Sequence, residues 1–290
     1  MSCFKRLYKI IYNSPFCRLF KLLYGGFNIA LYWILSLKWR LSGAKLPTDE
    51  QVREVENEVT FIFKSFERKS MAKRLYRCIR RYYGNARVII ADDSKKPLKL
   101  KGKNLEIICL GFNVGISRGL NAAIERVETE FTMRLDDDML LTPFTGVERQ
   151  LAFLKSHGEI DLSAVQACSA PKLLPPTAVA AEYLRFDMSE ASKPLKIPHK
   201  TRIDETHFVL GKTPNSFLIR TEKYKALGYD ENIRMIDHHE FFLRASGELV
   251  AVSDVSAFVF HYHNRFDRHY DVYRRDFLTD RLYIQKKHNL

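Results

Sequence analysis

Four short apolar runs constrain this chain more than any other feature: VTFIF at 59–63, RVIIA at 87–91, LEIICL at 105–110 and FTMRL at 131–135. Each reads as a short buried strand. Between the first two, apolar residues recur at helical spacing from Lys69 to Tyr83, and Gly115 to Val127 reads as a second helix. Strands alternating with helices predict an α/β fold, a mainly parallel mixed sheet covered on both faces. A chain of 290 residues with 46% hydrophobic and 12% aromatic residues can bury a substantial core, which excludes disordered and fibrous classes. No internal repeat or low-complexity tract interrupts the pattern.

The N-terminus is different. Lys5, Arg6, Lys9, Arg18, Lys21, Lys38, Arg40 and Lys45 all precede the first acid, Asp49. Between Lys21 and Lys38 runs LLYGGFNIALYWILSL, an apolar stretch interrupted by Gly25, Gly26 and Asn28. A spanning helix needs roughly 20 apolar residues, so the run is borderline, and it lacks a signal-peptide cleavage pattern. Basic and aromatic residues around a short apolar core predict an interfacial anchor on an anionic membrane surface. A single-pass anchor and a helix packed on the domain are the alternatives. SGAKLPTDEQ reads as a linker, which divides the chain into a membrane-associating segment, 1–57, and a compact domain, 58–290. The net charge of +13 points to anionic partners or to a solvated basic surface. Five dispersed cysteines without CxxC pairs argue against a disulfide framework or structural zinc, and for the cytoplasmic face.

Two strands end in acids, IIADDS and MRLDDD. In such sheets ligands collect at the carboxyl ends of strands. If the backbone stays extended, Asp136 and Asp138 point one way and Asp137 another. Paired carboxylates suit Mg²⁺ or Mn²⁺, whereas a solvated turn helped by Pro143 is the plainer reading of the triplet alone. A calcium loop fails, because Leu141 stands where it needs glycine.

The stretch VTFIFKSFERKSMAKRLYRCIRRYYGNARVIIADDS resembles the opening of glycosyltransferases with the GT-A fold, especially family 2. FNVGISRGLNAAIERVETEFTMRLDDD continues the resemblance with a glycine-opened helix and a DxD metal motif. TPNSFLIRTEKYKALGYDENIRMIDHHEFFLRASG is similar to the ganglioside-type β-1,4-N-acetylgalactosaminyltransferases. The resemblance implies metal-dependent, inverting transfer of a GalNAc-, Gal- or GlcNAc-type sugar from a UDP-sugar to a hydroxyl of a glycan or glycolipid. It implies Asp136 and Asp138 as metal ligands with His261, or else His263, as a third, and Asp137 beside the nucleotide. Lys64, Ser65, Phe66, Arg68, Asp92 and Asp93 fall at the nucleotide end, and Asn215 and Arg220 on a donor- or acceptor-facing strand. Glu240 falls where the family has its catalytic acid, with His239 beside it. A structural alternative makes Asp237 and Glu240 a capping box. The family often has Arg before the Asn of the glycine-opened helix; here Leu120 precedes Asn121, and Arg118 is the nearest base.

Three rivals are weaker. A nucleic-acid binder would use the aromatic, basic tail from His263 to Leu290, but acids at the strand ends repel phosphates. A metallohydrolase lacks the HExxH spacing. A GT-A domain that only binds would not need Glu240.

Overall fold

A computed structural model describes residues 3–41, 43, 46–169, 191, 193–262, 266–274 and 277–290. Two N-terminal helices, α1 (Cys3–Asn13) and α2 (Cys17–Leu41), precede α3 (Asp49–Glu58). Then come β1 (Val59–Ser65), α4 (Lys69–Tyr82), β2 (Arg87–Asp92), β3 (Leu105–Cys109), α5 (Ile116–Glu125) and β4 (Phe131–Arg134). β5 (Met139–Leu140), α6 (Val147–Ser156), β6 (Leu162–Ser169), β7 (His207–Val209) and β8 (Phe217–Arg220) follow. The chain closes with α7 (Thr221–Leu227), α8 (Asp237–Ala245), β9 (Ala251–His261), α9 (Arg268–Asp271) and α10 (Phe277–His288).

Among the described residues, nine strands form one sheet in the order β3-β2-β1-β4-β8-β6-β9-β5, with β7 paired to β9. The half β3-β2-β1-β4 is parallel; β8 runs against both β4 and β6. Because side chains alternate along a strand, each strand feeds two cores. Phe61, Phe63, Val88, Ile90, Phe131 and Met133 pack on the face of α4 and α6. Ile62, Ile89, Ala91, Phe217 and Ile219 pack on the face of α5, α7 and α8. Burying a Val, Leu, Ile, Phe or Met side chain contributes about 1.5–3 kcal/mol; Thr60, Thr132 and Arg134 are buried polar exceptions on the same strands.

Two observations bear on the N-terminus, the second matching the packed-helix alternative. Part of the expected linker is helix: α3 begins at Asp49 under a capping box in which Thr48 and Gln51 bond each other's backbone N–H, and its Val55 is buried. Second, α2 lies against the domain. Tyr32 is in the core and donates to the Leu141 carbonyl at 2.7 Å. The opposite face of α2 leaves Leu22, Leu23, Phe27, Ile34 and Leu37 exposed.

Candidate active site

Reading across the sheet, chain order reverses between β1 and β4, the switch point where open α/β sheets bind ligands. A cavity of about 430 Å³ opens there, at the carboxyl ends of both strands. Lys64, Phe66 and Arg68 line one side, Asp136, Asp137 and Asp138 another, and Asp237 and His238 a third. Tyr270, Asp271, Tyr273 and Arg274, around α9, complete it.

The three aspartates do not divide as extended backbone would have them. β4 ends at Arg134, and Met139 N–H donates to the Asp136 carbonyl at 3.0 Å, closing a turn. Two-residue alternation stops there. Arg68 reaches Asp138 at 2.9 Å and also bonds Asp137; its guanidinium stacks 4.1 Å from the Tyr270 ring centre. Asp138 additionally meets His261 Nε2 at 3.3 Å. Burial pushes the Asp137 carboxyl up to about 7 against the pull of Arg68. Burial works the same way on Asp138, but Arg68 and His261 hold it well below the usual carboxylate range. His261 is raised in turn, Asp138 outweighing burial. His263 lies outside the described residues.

Asp136 instead faces Arg134, which is fully buried and approaches it at 2.9 Å and Asp237 at 3.6 Å. Arg134 also donates to the Asn215 carbonyl at 2.6 Å. Asp237 is buried, its Oδ2 accepts no hydrogen bond, and desolvation pushes its carboxyl up to about 6 despite Arg134. Its neighbour Ile236 is the N-cap of α8, without a side-chain cap bond, so the capping box does not form. Glu240 sits on the same helix with its carboxylate engaged elsewhere. Its Oε1 accepts from Arg244 and Lys287, each at 2.7 Å. Burial alone would raise it, yet those two cations hold it low. Glu240 is therefore part of the contact between α8 and α10. His239 lines a separate cavity between those two helices, with Phe277, Arg281 and Ile284.

Where the sequence reading placed the nucleotide, Lys64 and Asp93 form a buried pair at 2.7 Å. Burial lowers Lys64 and raises Asp93, each opposed by its partner. Asp93 also accepts from the Gly115 N–H at 3.2 Å. Gly115 has φ of 103° and a Cβ there would come within 3.1 Å of Arg234, so only glycine fits this bend. Asn215 lines the cavity. Asp92 lies outside it, accepting from Ser94 and the Leu98 N–H at 2.6 Å each, and Ser65 is buried beneath it. Arg118 is exposed, 3.7 Å from Glu231. Asn121 clamps both backbone groups of Tyr229, at 2.8 and 2.9 Å. Arg220 donates to the Leu154 and Ile160 carbonyls. Asn121 and Arg220 thus hold the fold, while Arg118 makes only an exposed surface pair. Sequence reasoning passed over Arg134, Arg234, Tyr270 and Arg274. The last two belong to the aromatic, basic tail, whose composition was the available signal.

The family described as Glycosyl transferase family 2 matches residues 60–228, more than half of the chain. The chain belongs to glycosyl transferase family 2. Among curated relatives, mouse beta-1,4 N-acetylgalactosaminyltransferase 2 is 30% identical over 204 residues, 69% of this chain and 38% of that protein. Human beta-1,4 N-acetylgalactosaminyltransferase 1 is 31% identical over 202 residues, 66% and 36%. The family 2 chain thus spans well under half the length of these relatives. Its fold is that of S. aureus TarS residues 1–349, at 14% identity and TM-score 0.52, covering 70% of this chain and 60% of that one. TarS 1–349 has also been crystallised with UDP-GlcNAc. The architecture is GT-A.

In kind, the donor set of this family 2 cavity fits a hard divalent cation: carboxylates and an imidazole share one cavity, and Asp137 Oδ2 is buried without a hydrogen-bond partner. The arrangement differs. Among the described residues no three His, Cys, Asp or Glu side chains are grouped to hold a metal ion; Arg68 pairs with Asp137 and Asp138, and Arg134 with Asp136.

Proposed function

We propose that this chain transfers an N-acetylhexosamine or hexose from a UDP-sugar to a hydroxyl of a glycan or glycolipid, inverting the anomeric centre. The observation that carries the reading is the meeting of the aspartate triplet, Asp237 and several cations in one switch-point cavity. Asp136, Asp138 and His261 would hold Mn²⁺ or Mg²⁺. A divalent cation there supplies Lewis-acid stabilisation of charge on the departing diphosphate. Lys64, Arg234 and Arg274 line the same cavity and add positive charge beside the phosphates. Asp237, not Glu240, is a carboxylate that lines this cavity; its Oδ2 accepts no hydrogen bond and lies 3.6 Å from Arg134. It takes the acceptor's hydroxyl proton as that oxygen attacks the anomeric carbon opposite the leaving UDP. Burial of Asp237 raises its basicity, and Arg134 keeps it ionised at neutral pH. The test is a transfer and donor-hydrolysis screen over UDP-GalNAc, UDP-GlcNAc and UDP-Gal, with Mn²⁺ or with chelator. Turnover that ignores the chelator, or persists in D136A/D138A, refutes the metal assignment.

We further propose that α1 and α2 lie in the plane of a membrane, at its cytoplasmic face. Residues Cys17–Lys38 are long and apolar enough to span, with mean hydropathy 1.3. The docking of Tyr32 into the core supports the in-plane reading over the single-pass alternative, since one face of α2 is committed to protein. The free thiols of Cys17, Cys78 and Cys109 support a reducing compartment.

A further inference from the structure

A second cavity, of about 390 Å³, runs between α2 and α4. Its floor is Ile29, Tyr32, Trp33 and Leu140, and its rim is Lys73, Arg74, Arg77 and Arg81. α4 carries six cations and no acid in fourteen residues. Lys73, Arg77 and Arg81 stand four residues apart, a spacing at which like charges repel along a helix. Among the described residues none of the four rim cations meets a carboxylate within ion-pair distance, whereas Lys64, Arg68, Arg134 and Arg244 each do. Two are instead held over aromatic rings, Arg81 at 4.3 Å from Trp33 and Arg74 at 4.2 Å from Tyr262. The guanidinium groups are thus oriented without being neutralised, the state expected of a phosphate site awaiting its anion.

Two sources of phosphate fit that rim, a soluble anion or a lipid headgroup, and the floor decides between them. It is apolar and aromatic, and through Trp33 it continues onto the exposed face of Ile34 and Leu37. Tryptophan at such a boundary marks the headgroup level of a bilayer. We propose that the α2–α4 groove binds the phosphate headgroup of an anionic phospholipid, its acyl part lying over Ile29 and Trp33. This rests on the in-plane reading of α2 and adds lipid-class selectivity to it.

Flotation of the full chain with vesicles tests it, using phosphatidylcholine alone and phosphatidylcholine with phosphatidylglycerol. A cation at an anionic surface strengthens binding about fivefold, so K73Q/R77Q/R81Q should weaken phosphatidylglycerol-dependent partitioning on the order of a hundredfold. The charge-matched K99Q/K101Q/K223Q, on exposed lysines elsewhere, should change it less than about threefold. Equal losses in the two triples overturn the groove, as does wild-type binding that ignores phosphatidylglycerol; in the second case the in-plane reading survives. Failure to bind either vesicle overturns both. If the triple variant melts early, R77Q alone, at an exposed position, should still show the fivefold loss. Inorganic phosphate that stabilises wild type but not the triple variant, with flotation equal in both, would reassign the groove to a soluble anion.

Discussion

Arg68 is the residue whose removal has the most calculable consequence. Its guanidinium bonds Asp137 and Asp138 and lies 4.1 Å from the Tyr270 ring centre. In Arg68→Gln two adjacent buried carboxylates lose their shared counter-charge. Leaving a buried charge unpaired costs about 3–5 kcal/mol. For a domain of this size each kcal/mol corresponds to about 2–4 °C, so the melting temperature should fall on the order of 10 °C at pH 8. The loss should shrink in mild acid, and the sign can be worked through. Asp137 already binds its proton more tightly folded than unfolded, near 7 rather than the usual carboxylate value. Stability therefore falls as pH rises from about 4 to about 7, and without Arg68 that penalty grows. At pH 5.5 protonation relieves most of it. Saturating Mn²⁺ should restore stability at pH 8, by about 2.7 kcal/mol at a hundredfold excess over the dissociation constant. Differential scanning fluorimetry at the two pH values, with and without Mn²⁺, measures all three effects. A drop below about 3 °C at pH 8, or one equal at both pH values, would refute the view that Arg68 neutralises the triplet.

Asp237→Asn should lower kcat by about 10²- to 10⁴-fold with little change in melting temperature, read by UDP release. In the wild type, kcat/KM should rise with pH through about 6 and then level, because only the ionised Asp237 accepts a proton; a profile flat from pH 5 to 7 contradicts the assignment. Glu240→Gln should do the reverse of Asp237→Asn, destabilising α8 against α10 by roughly 3 kcal/mol while kcat stays within about threefold at permissive temperature. Tyr32→Ala removes a buried ring and the bond to the Leu141 carbonyl, and should cost about 3–5 kcal/mol, a loss absent if α2 does not rest on the domain.

The strands that could be read from sequence are those buried on both faces, since VTFIF and RVIIA admit few other fates. The acidic ends of β2 and β4 were legible for the same reason. α3 was not: DEQVREVENE buries only Val55, so its helix depends on a cap rather than on an apolar stripe. The choice between Asp237 and Glu240 turned on which face of α8 meets α10. That depends on Lys287, 47 residues along the chain from Glu240, and no local pattern encodes such a pairing. Likewise Arg134 sits at an alternating strand position that should be apolar; only the fold brings Asp136 and Asp237 to it.

One short segment touches both ends of the molecule's work. Phe266 packs against Tyr8, Phe20 and Tyr24, Asp267 pairs with Lys21 at 2.7 Å, and Arg268 donates to the carbonyls of Tyr12 and Ser14. Two residues further on, Tyr270 covers Arg68, and Tyr273 packs on Phe66. The usual remedy for a greasy leader is to cut it off before expression. Trimming this chain before Asp49 would also strip the supports beneath residues 266–268 and loosen the cavity wall formed by Tyr270 and Tyr273. A truncated protein that fails to turn over would then report a loosened cavity wall, and the remedy is detergent or lipid with the full chain.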